Sequence, residues 1–437
     1  MSLITEKQYS KNRFAYIIEA AVEYFISLLV TDAFVTNLFT QNGVSDAATG
    51  IIIQLASFAF VAQLFSLFYK RQSKLKVWVT GFHVLNQVVF AALYLIPNIS
   101  IPSGLKTVIM VTMFLGGHIV SNLIHPYKMA WLMSFVDDRA RGVFTANKEI
   151  VSLLGGMVFT LVMGNRVDHY MEIEKFDIAF ALCGITILVL ALAHFISLAV
   201  ITDHKTESTE DNNTKNGIDF IDTVKSFANN KGYKRAIFAV VIWHIVTGFS
   251  VSFFGSYKLN TLGFSLSDAA ILSSVSAFTR VIFSRFMGRY ADKKSWSELL
   301  YLCFIIVSVA FAMNMFVIPG HLKIMFIIYS LIHAISMAGI NGGLTNIMFD
   351  FVPREQRSAA LGVSNSLGGI ISFITALFGG WILSSVQNSS ADKMLSINVF
   401  GNVVRLYGQQ VLSCISFVCC LALIFYMKKA ILNKNHK

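Results

Sequence analysis

The chain has 437 residues, of which 55% are hydrophobic and only 14% charged, with a mean hydropathy of +0.64. That is too apolar for one or two soluble domains and reads as a polytopic all-α membrane protein. The formal charge of +11, which in a soluble chain would suggest nucleic acid, is better explained by cationic loops held on one side of a membrane, so no nucleic-acid partner is expected.

A bilayer core takes about 20 apolar residues per spanning helix. Runs of that kind fall at 14–39, 47–69, 77–96, 106–136, 143–165 and 177–201, and again at 234–260, 266–288, 296–319, 322–350, 357–386 and 405–428. Twelve spans, six before and six after a polar stretch, predict an N-terminal bundle (1–201), a linker (202–233) and a C-terminal bundle (234–437). The five cysteines all lie in apolar runs without paired metal-type spacing and read as packing residues.

The first span carries Glu19, Glu23 and Asp32. Glu19 and Glu23 interrupt the apolar run where a cleavable signal peptide should be continuous. At about 100° per residue Glu19, Glu23, Phe34 and Asn37 share one face, with Ser27 at its edge, while Asp32 points nearly opposite. An ionisable residue near the bilayer centre costs about 2.5–3.5 kcal/mol on insertion scales, so this face is expected to border a cavity. Asp32 reads as a helix-packing or outer-vestibule residue.

After the second span comes a basic break, Tyr69-Lys70-Arg71-Gln72-Ser73-Lys74-Leu75-Lys76. Span four places His118, Asn122 and His125 on one face, followed by Tyr127, Lys128 and Trp131. Two histidines seven residues apart lack a third ligand at metal spacing, so no metal is expected; the alternatives are hydrogen bonding to a solute and ordinary burial. Span five opens with Asp138-Arg139-Ala140-Arg141-Gly142 and carries Lys148 and Glu149 at a depth similar to Glu19. That depth predicts an ion pair of Lys148 with Glu19 or Glu23. Such a pair either fixes the packing of the bundle, or leaves a carboxylate of shifted affinity to take and release a proton or meet the solute, with Glu23 the first choice.

The linker is polar from Asp203 to Gly217, and Ile218 to Val224 reads as a short interfacial helix. Span seven offers Trp243, His244, Ser252, Tyr257 and Asn260; span eight carries Arg280, the main cation inside the second bundle; span ten offers His333, Asn341, Asn346 and Asp350. Between spans eight and nine a basic hairpin is predicted at Gly288-Arg289-Tyr290-Ala291-Asp292-Lys293-Lys294-Ser295, with Gly288 lying 219 residues after Tyr69. Arg357-Ser358-Ala359-Ala360-Leu361-Gly362 opens span eleven, and Gly362 follows Gly142 by 220 residues. Two landmarks at nearly one offset imply an internal duplication. The pairs Gly155-Gly156, Gly368-Gly369 and Gly379-Gly380 permit close helix contact.

With both termini on one side, that side collects 24 Lys and Arg residues against seven on the other. The positive-inside bias therefore puts both termini in the cytoplasm.

Six plus six spans, a central linker and the Gly288 to Lys294 loop together resemble the major facilitator superfamily of secondary transporters, over essentially the whole chain. That family's signature loop runs Gly, three residues, Asp, then basic residues, usually after the second helix with a weaker copy after the eighth. Here the better copy follows span eight, and the first is degenerate, with Tyr69 and Ser73 at the glycine and acidic positions. The resemblance implies that spans one, four, seven and ten line a central cavity. It also implies that Asp292, with Gly288, Arg289 and Lys293, latches the cytoplasmic side by meeting the positive start of span five. The alternative is a solvated turn near lipid headgroups.

The expected function is cation-coupled, most simply proton-coupled, symport of a small polar solute such as a sugar or glycoside by alternating access. An amide, imidazole and aromatic lining suits a polyhydroxylated or zwitterionic solute. The alternative is a proton-driven exporter of drugs or metabolites. No cofactor is expected, the energy source being a transmembrane proton or sodium gradient. The expected form is a monomer in the plasma membrane whose partners are the solute and lipid. No nucleotide loop, metalloprotease helix or nucleophile elbow points to an enzyme, and no extramembrane domain points to a receptor.

Overall fold

The computed structural model describes residues 6–66, 75–133, 135–136, 141–202, 220–315, 322–353, 356–390, 394–399 and 402–433. The first-half basic break around Tyr69 and Ser73, the loop at Asp138 to Ala140 and most of the linker lie outside the described residues.

Among the described residues twelve helices are long and apolar enough to cross a membrane. In chain order they are Gln8–Gln41, Asp46–Phe65, Leu75–Asn98, Ser103–Met129, Asn147–Glu172, Phe176–Val200, Lys231–Thr261, Leu266–Lys293, Trp296–Met315, Lys323–Phe349, Ala359–Ser389 and Gly408–Leu432, and we number them spans one to twelve. The helix at Phe220–Asn229 extends the predicted interfacial segment.

Local chemistry sets the ends. Ser45 accepts from the Ala48 amide to start span two, and Asn230 accepts from the Gly232 and Tyr233 amides to start span seven. Ser265 and Asp268 form a reciprocal capping box at the start of span eight, each device satisfying amides that have no partner inside the helix. At the opposite pole of span six, the Lys76 ammonium donates to the carbonyls of Ala199 and Ile201, both at 2.7 Å. A cation there also meets the negative end of the helix.

Spans one and seven are broken toward the end away from the termini. Span one consists of the helices Glu6–Leu29 and Asp32–Gln41, with Asp32 at φ 48° in the left-handed region. The Leu29 carbonyl at the break accepts from the Tyr94 hydroxyl. Span seven is regular over Lys231–Ser250, then passes through a tight turn at Val251–Phe253 and a wide turn at Tyr257–Thr261. The single continuous helix assumed for span one is therefore corrected. The break resets the phase, so the second half of the predicted polar face does not continue the first.

Three further expectations change. Gly288 to Lys293 is the last turn and a half of the span-eight helix, Leu266–Lys293, and not a hairpin; the chain turns only at Lys294 and Ser295. Span twelve starts at Gly408, because the residues before it form a two-stranded antiparallel hairpin, β1 (Met394–Val399) with β2 (Asn402–Tyr407). Its alternating Leu395, Ile397 and Val399 carried the strand period. Lys258, one of the seven cations assigned to the loops opposite the termini, is buried in span seven.

Each half has its own apolar core. Leu38, Phe39, Tyr94 and Phe114 centre the first, and Trp243, Phe304, Val307 and Phe311 the second. Leu266 and Ala269 of span eight are part of the first half's core, so the halves interlock at the end of the seam away from the termini. Spans two and eleven pack backbone to backbone. A Cβ at Gly369 would sit 2.1 Å from the Ser57 carbonyl oxygen, and one at Gly380 would lie 2.6 Å from Ile51.

Candidate functional site

At the heart of the first half lies a buried charge cluster. Span four brings the Lys128 ammonium to Glu19 Oε1 at 2.9 Å and to Glu23 Oε2, both on span one. Glu19 Oε1 also meets His194 Nε2 of span six at 2.9 Å. Gln87 Nε2 lies 2.7 Å from His194 Nδ1. If the amide donates to Nδ1, the other ring nitrogen is left as the N–H that donates to Glu19, so a neutral imidazole satisfies both contacts. His83 Nδ1 stands 3.9 Å from Glu23.

Burial divides the cluster. Glu19 and His194 are 0% exposed and Lys128 1%, whereas Glu23 is 33% exposed. Glu23 is therefore the member that communicates with the cavity. The second oxygen of Glu19 has no hydrogen-bond partner among the described residues.

Three adjoining chambers of the cavity lie among the described residues. One of about 680 Å³ is bordered by Glu23, His83, Asn86, Gln87, His118 and His125, with Lys148, Glu149, Arg280 and Asn341 at its other walls. A second, of about 700 Å³, shares His118 and His125 and reaches Asn122, Gln63 and Asn365. A third, of about 460 Å³, shares Tyr24 and Arg280 with the first and is walled by Asp32, Lys258, Tyr329 and His333. Gln63 donates to Asn122 at 2.9 Å and accepts from Asn365 at 3.2 Å, a chain of amides that joins spans four, two and eleven.

The predicted residues thus separate into groups. Glu23, His118, Asn122, His125, Lys148, Glu149, His333 and Asn341 line the cavity. Glu19 is sealed behind Glu23. The predicted Lys148 ion pair is corrected: the cation that meets both glutamates is Lys128, and the Lys148 ammonium instead lies 5.2 Å from the centre of the Tyr16 ring. Lys128 follows His118 by ten residues on the same helix but is turned about 80° from it, so the His118, Asn122 and His125 face did not single it out.

Asn37 is buried in the far part of span one, beyond the break, and borders none of the three chambers. Trp243 packs on Phe304, ring centres 5.5 Å apart, inside the second core. His244 Nδ1 lies 2.9 Å from Ser372 Oγ and ties span seven to span eleven. All three are packing residues in this structure. His83 and Gln87 were missed although Thr80, His83, Asn86 and Gln87 recur at helical spacing along span three, a polar face that could have marked them; His194, with only Ser197 near it in span six, gave a weaker signal.

The latch residues are at the terminal end. Arg289, Asp292 and Lys293 are exposed and Gly288 is half-buried. Asp292 makes no ion pair or hydrogen bond among the described residues, so a latch through it is not engaged in this state. The far end of the seam is tied instead. Asp32 accepts from Lys258 at 2.5 and 2.7 Å and from Ser273 at 3.0 Å. Asp46 accepts from Asn260 at 2.6 Å and Gln387 at 3.1 Å. Asp168 accepts from the Leu266 and Ser267 amides, both at 2.9 Å, and from the Ser267 hydroxyl at 2.6 Å.

No group of His, Cys, Asp and Glu suited to a metal ion occurs among the described residues.

Twelve spans in two halves around a polar central cavity define a multi-pass integral membrane protein built like a secondary transporter. The family model described as Major Facilitator Superfamily matches residues 14–376, and the chain belongs to that family. No curated protein sequence matches the chain significantly. Solved structures do. The nucleoside transporter NupG, as a point mutant, is 12% identical with a TM-score of 0.70, covering 95% of this chain and 99% of its own. A D-xylose-proton symporter is 11% identical with a TM-score of 0.67, covering 94% and 97%. A bacterial homologue of the human lysosomal transporter Spinster, inward-facing and unoccupied, is 12% identical with a TM-score of 0.65, covering 97% of each chain. At these identities the likeness is one of fold, two bundles; it is membership of the family that makes the protein a transporter of a small solute.

Proposed function

We propose that this chain carries a small polar solute, in the sugar or glycoside range, by proton-coupled symport across the plasma membrane, with both termini in the cytoplasm. The observation that carries the reading is the ratio of charges in the buried cluster. Two carboxylates share one ammonium, and the histidine beside Glu19 can satisfy its contacts while neutral. With both acids ionised the cluster is one positive charge short, and an uncompensated charge in a low-dielectric interior is costly. A single proton brings it to neutrality. Glu23 is the member reached from the cavity, so proton exchange with the cavity runs through it, and alternation of the two halves alters its access.

The amides that share the chamber with Glu23 offer the paired donors and acceptors that hydroxyl groups need. A D-xylose-proton symporter and a nucleoside transporter stand among the structural relatives, and both names are consistent with a polyhydroxylated solute.

The test is proton movement in proteoliposomes that hold a pH-sensitive dye, with a panel of sugars, sugar acids, glycosides and nucleosides added outside. Symport predicts that one of them drives protons inward. The Glu23→Gln variant should keep solute exchange between equal pools and lose accumulation driven by a pH gradient. Full accumulation by that variant would reject the coupling assignment, and protons moving opposite to the solute would establish export instead.

A further inference from the structure

The proton cluster does not account for the third chamber. Arg280 of span eight faces it and the neighbouring chamber together, is exposed to the cavity, and makes no ion pair or hydrogen bond among the described residues. A guanidinium does not shed its proton in a protein, so its charge must be balanced from outside itself.

Two unpartnered groups stand at the same chamber on span ten. Tyr329 is 3% exposed and its hydroxyl has no hydrogen-bond partner among the described residues, and His333 Nε2 is likewise buried without one among them. A buried polar group left without a partner carries its desolvation cost uncompensated. The acid on this wall, Asp32, is already engaged by Lys258 and Ser273. The chamber therefore carries two cations against one carboxylate, an excess of one positive charge beside a set of hydrogen-bond donors.

We propose that the transported solute bears an acidic group, a carboxylate, sulfonate or phosphate ester, which docks on Arg280 with Tyr329 and His333 donating beside it. The inference rests on the reading of this cavity as the solute site. Arginine presents two parallel N–H groups that match the oxygens of such an anion. Asn86 and Asn341, across the shared wall at Arg280, are left for the hydroxylated remainder of the solute. One proton taken by the cluster and one negative charge held at Arg280 make the loaded carrier gain no net charge, which lowers the cost of moving the site through a low-dielectric barrier.

The experiment is a thermal-shift panel on the purified full-length protein in detergent. Sugar acids, sulfonates and phosphate monoesters are each set beside the neutral alcohol or amide of the same skeleton, for example D-glucuronate beside D-glucose. Acids alone should stabilise. Arg280→Gln should weaken the best acid by about tenfold to a hundredfold in apparent Kd, as expected for a charge-assisted contact. Arg280→Lys should retain part of the binding, and Tyr329→Phe should lose less than Arg280→Gln. The unliganded melting temperatures of the variants report whether they fold. Equal stabilisation by the neutral partners, undiminished acid binding in Arg280→Gln, or no stabilising acid in the panel would each overturn the proposal. Because the assay has no gradient, these outcomes are independent of the Glu23→Gln flux result.

Discussion

The seam between the two halves has two unlike ends. At the end far from the termini, three aspartates of the first half, Asp32, Asp46 and Asp168, all reach partners in the second. At the terminal end Asp292 reaches nothing among the described residues, and a groove of about 470 Å³ separates spans five and eight between Leu153 and Phe286. Alternating access requires the two ends to be closed in turn; in this conformer the aspartate ties close the far end, while toward the termini spans two and eleven still meet across the seam through Asn365 to Gln63 and Ser366 to the Phe60 carbonyl.

Asp168 also shows how such a seal works. Its carboxylate sits on the first amides of span eight, where unpaired N–H groups and the helix dipole both favour negative charge. That is the device the family resemblance assigns to Asp292. The physics holds, but in this state it operates at the other end and through another residue.

The difference between the ends can be broken or sharpened by substitution. The largest effect is expected from Lys258→Ala. The ammonium is buried but Asp32 is 43% exposed, so the loss falls short of the about 3–5 kcal/mol of a fully buried pair, nearer about 1–2 kcal/mol. A shift of about 1.4 kcal/mol changes a two-state ratio tenfold. Labelling of a Ser276→Cys variant by an impermeant thiol reagent added on the far side should rise by about that factor. Unchanged labelling would mean that the pair does not hold the seal.

Asp168→Asn comes next. It keeps one acceptor oxygen and removes the charge from the helix start, so about 0.5–2 kcal/mol is expected, on the scale of a helix cap. The same labelling assay should show a smaller rise in far-side access, and a larger one than Lys258→Ala would reverse the ranking of the two ties.

The smallest effect is expected at the terminal end. Asp292→Asn should leave the melting temperature of this conformer unchanged, because Asp292 has no partner in it among the described residues. A measurable drop would show that the terminal end is more closed than its contacts in this conformer imply.

Much of the architecture was legible in the sequence, because a bilayer forces backbone polar groups to be satisfied within helices of a fixed minimum length. Twelve apolar runs of that length could hardly be anything but twelve spans. The cavity face of spans one and four was legible for a related reason, since Glu23, His118, Asn122 and His125 cannot face lipid cheaply. What misled was the assumption of an unbroken helix. Asn37 was placed on the Glu23 face by a rotation that the break at Val30 to Asp32 interrupts.

Partners were less legible than faces. Lys148 and Lys128 both lie at a depth that could serve Glu19, and nothing in the linear pattern ranks one above the other. The tertiary arrangement does, because span four brings Lys128 into the interior of the half while Lys148 lies on the cavity wall. His83 shares a polar face of span three with Thr80, Asn86 and Gln87, but nothing linear pairs that face with Glu23; His194 is nearly alone in an apolar helix and acquires its role only when span six closes on Glu19.

The sequence by itself therefore determined the number of spans, their grouping in two halves and the presence of embedded charge, all of which follow from the cost of polar groups in hydrocarbon. Tertiary structure alone decided which carboxylate is sealed and which is reached, which lysine answers them, and which aspartates tie the two halves. Those outcomes depend on distances of a few ångströms between helices remote in the chain, and hydrophobic periodicity carries no information at that scale.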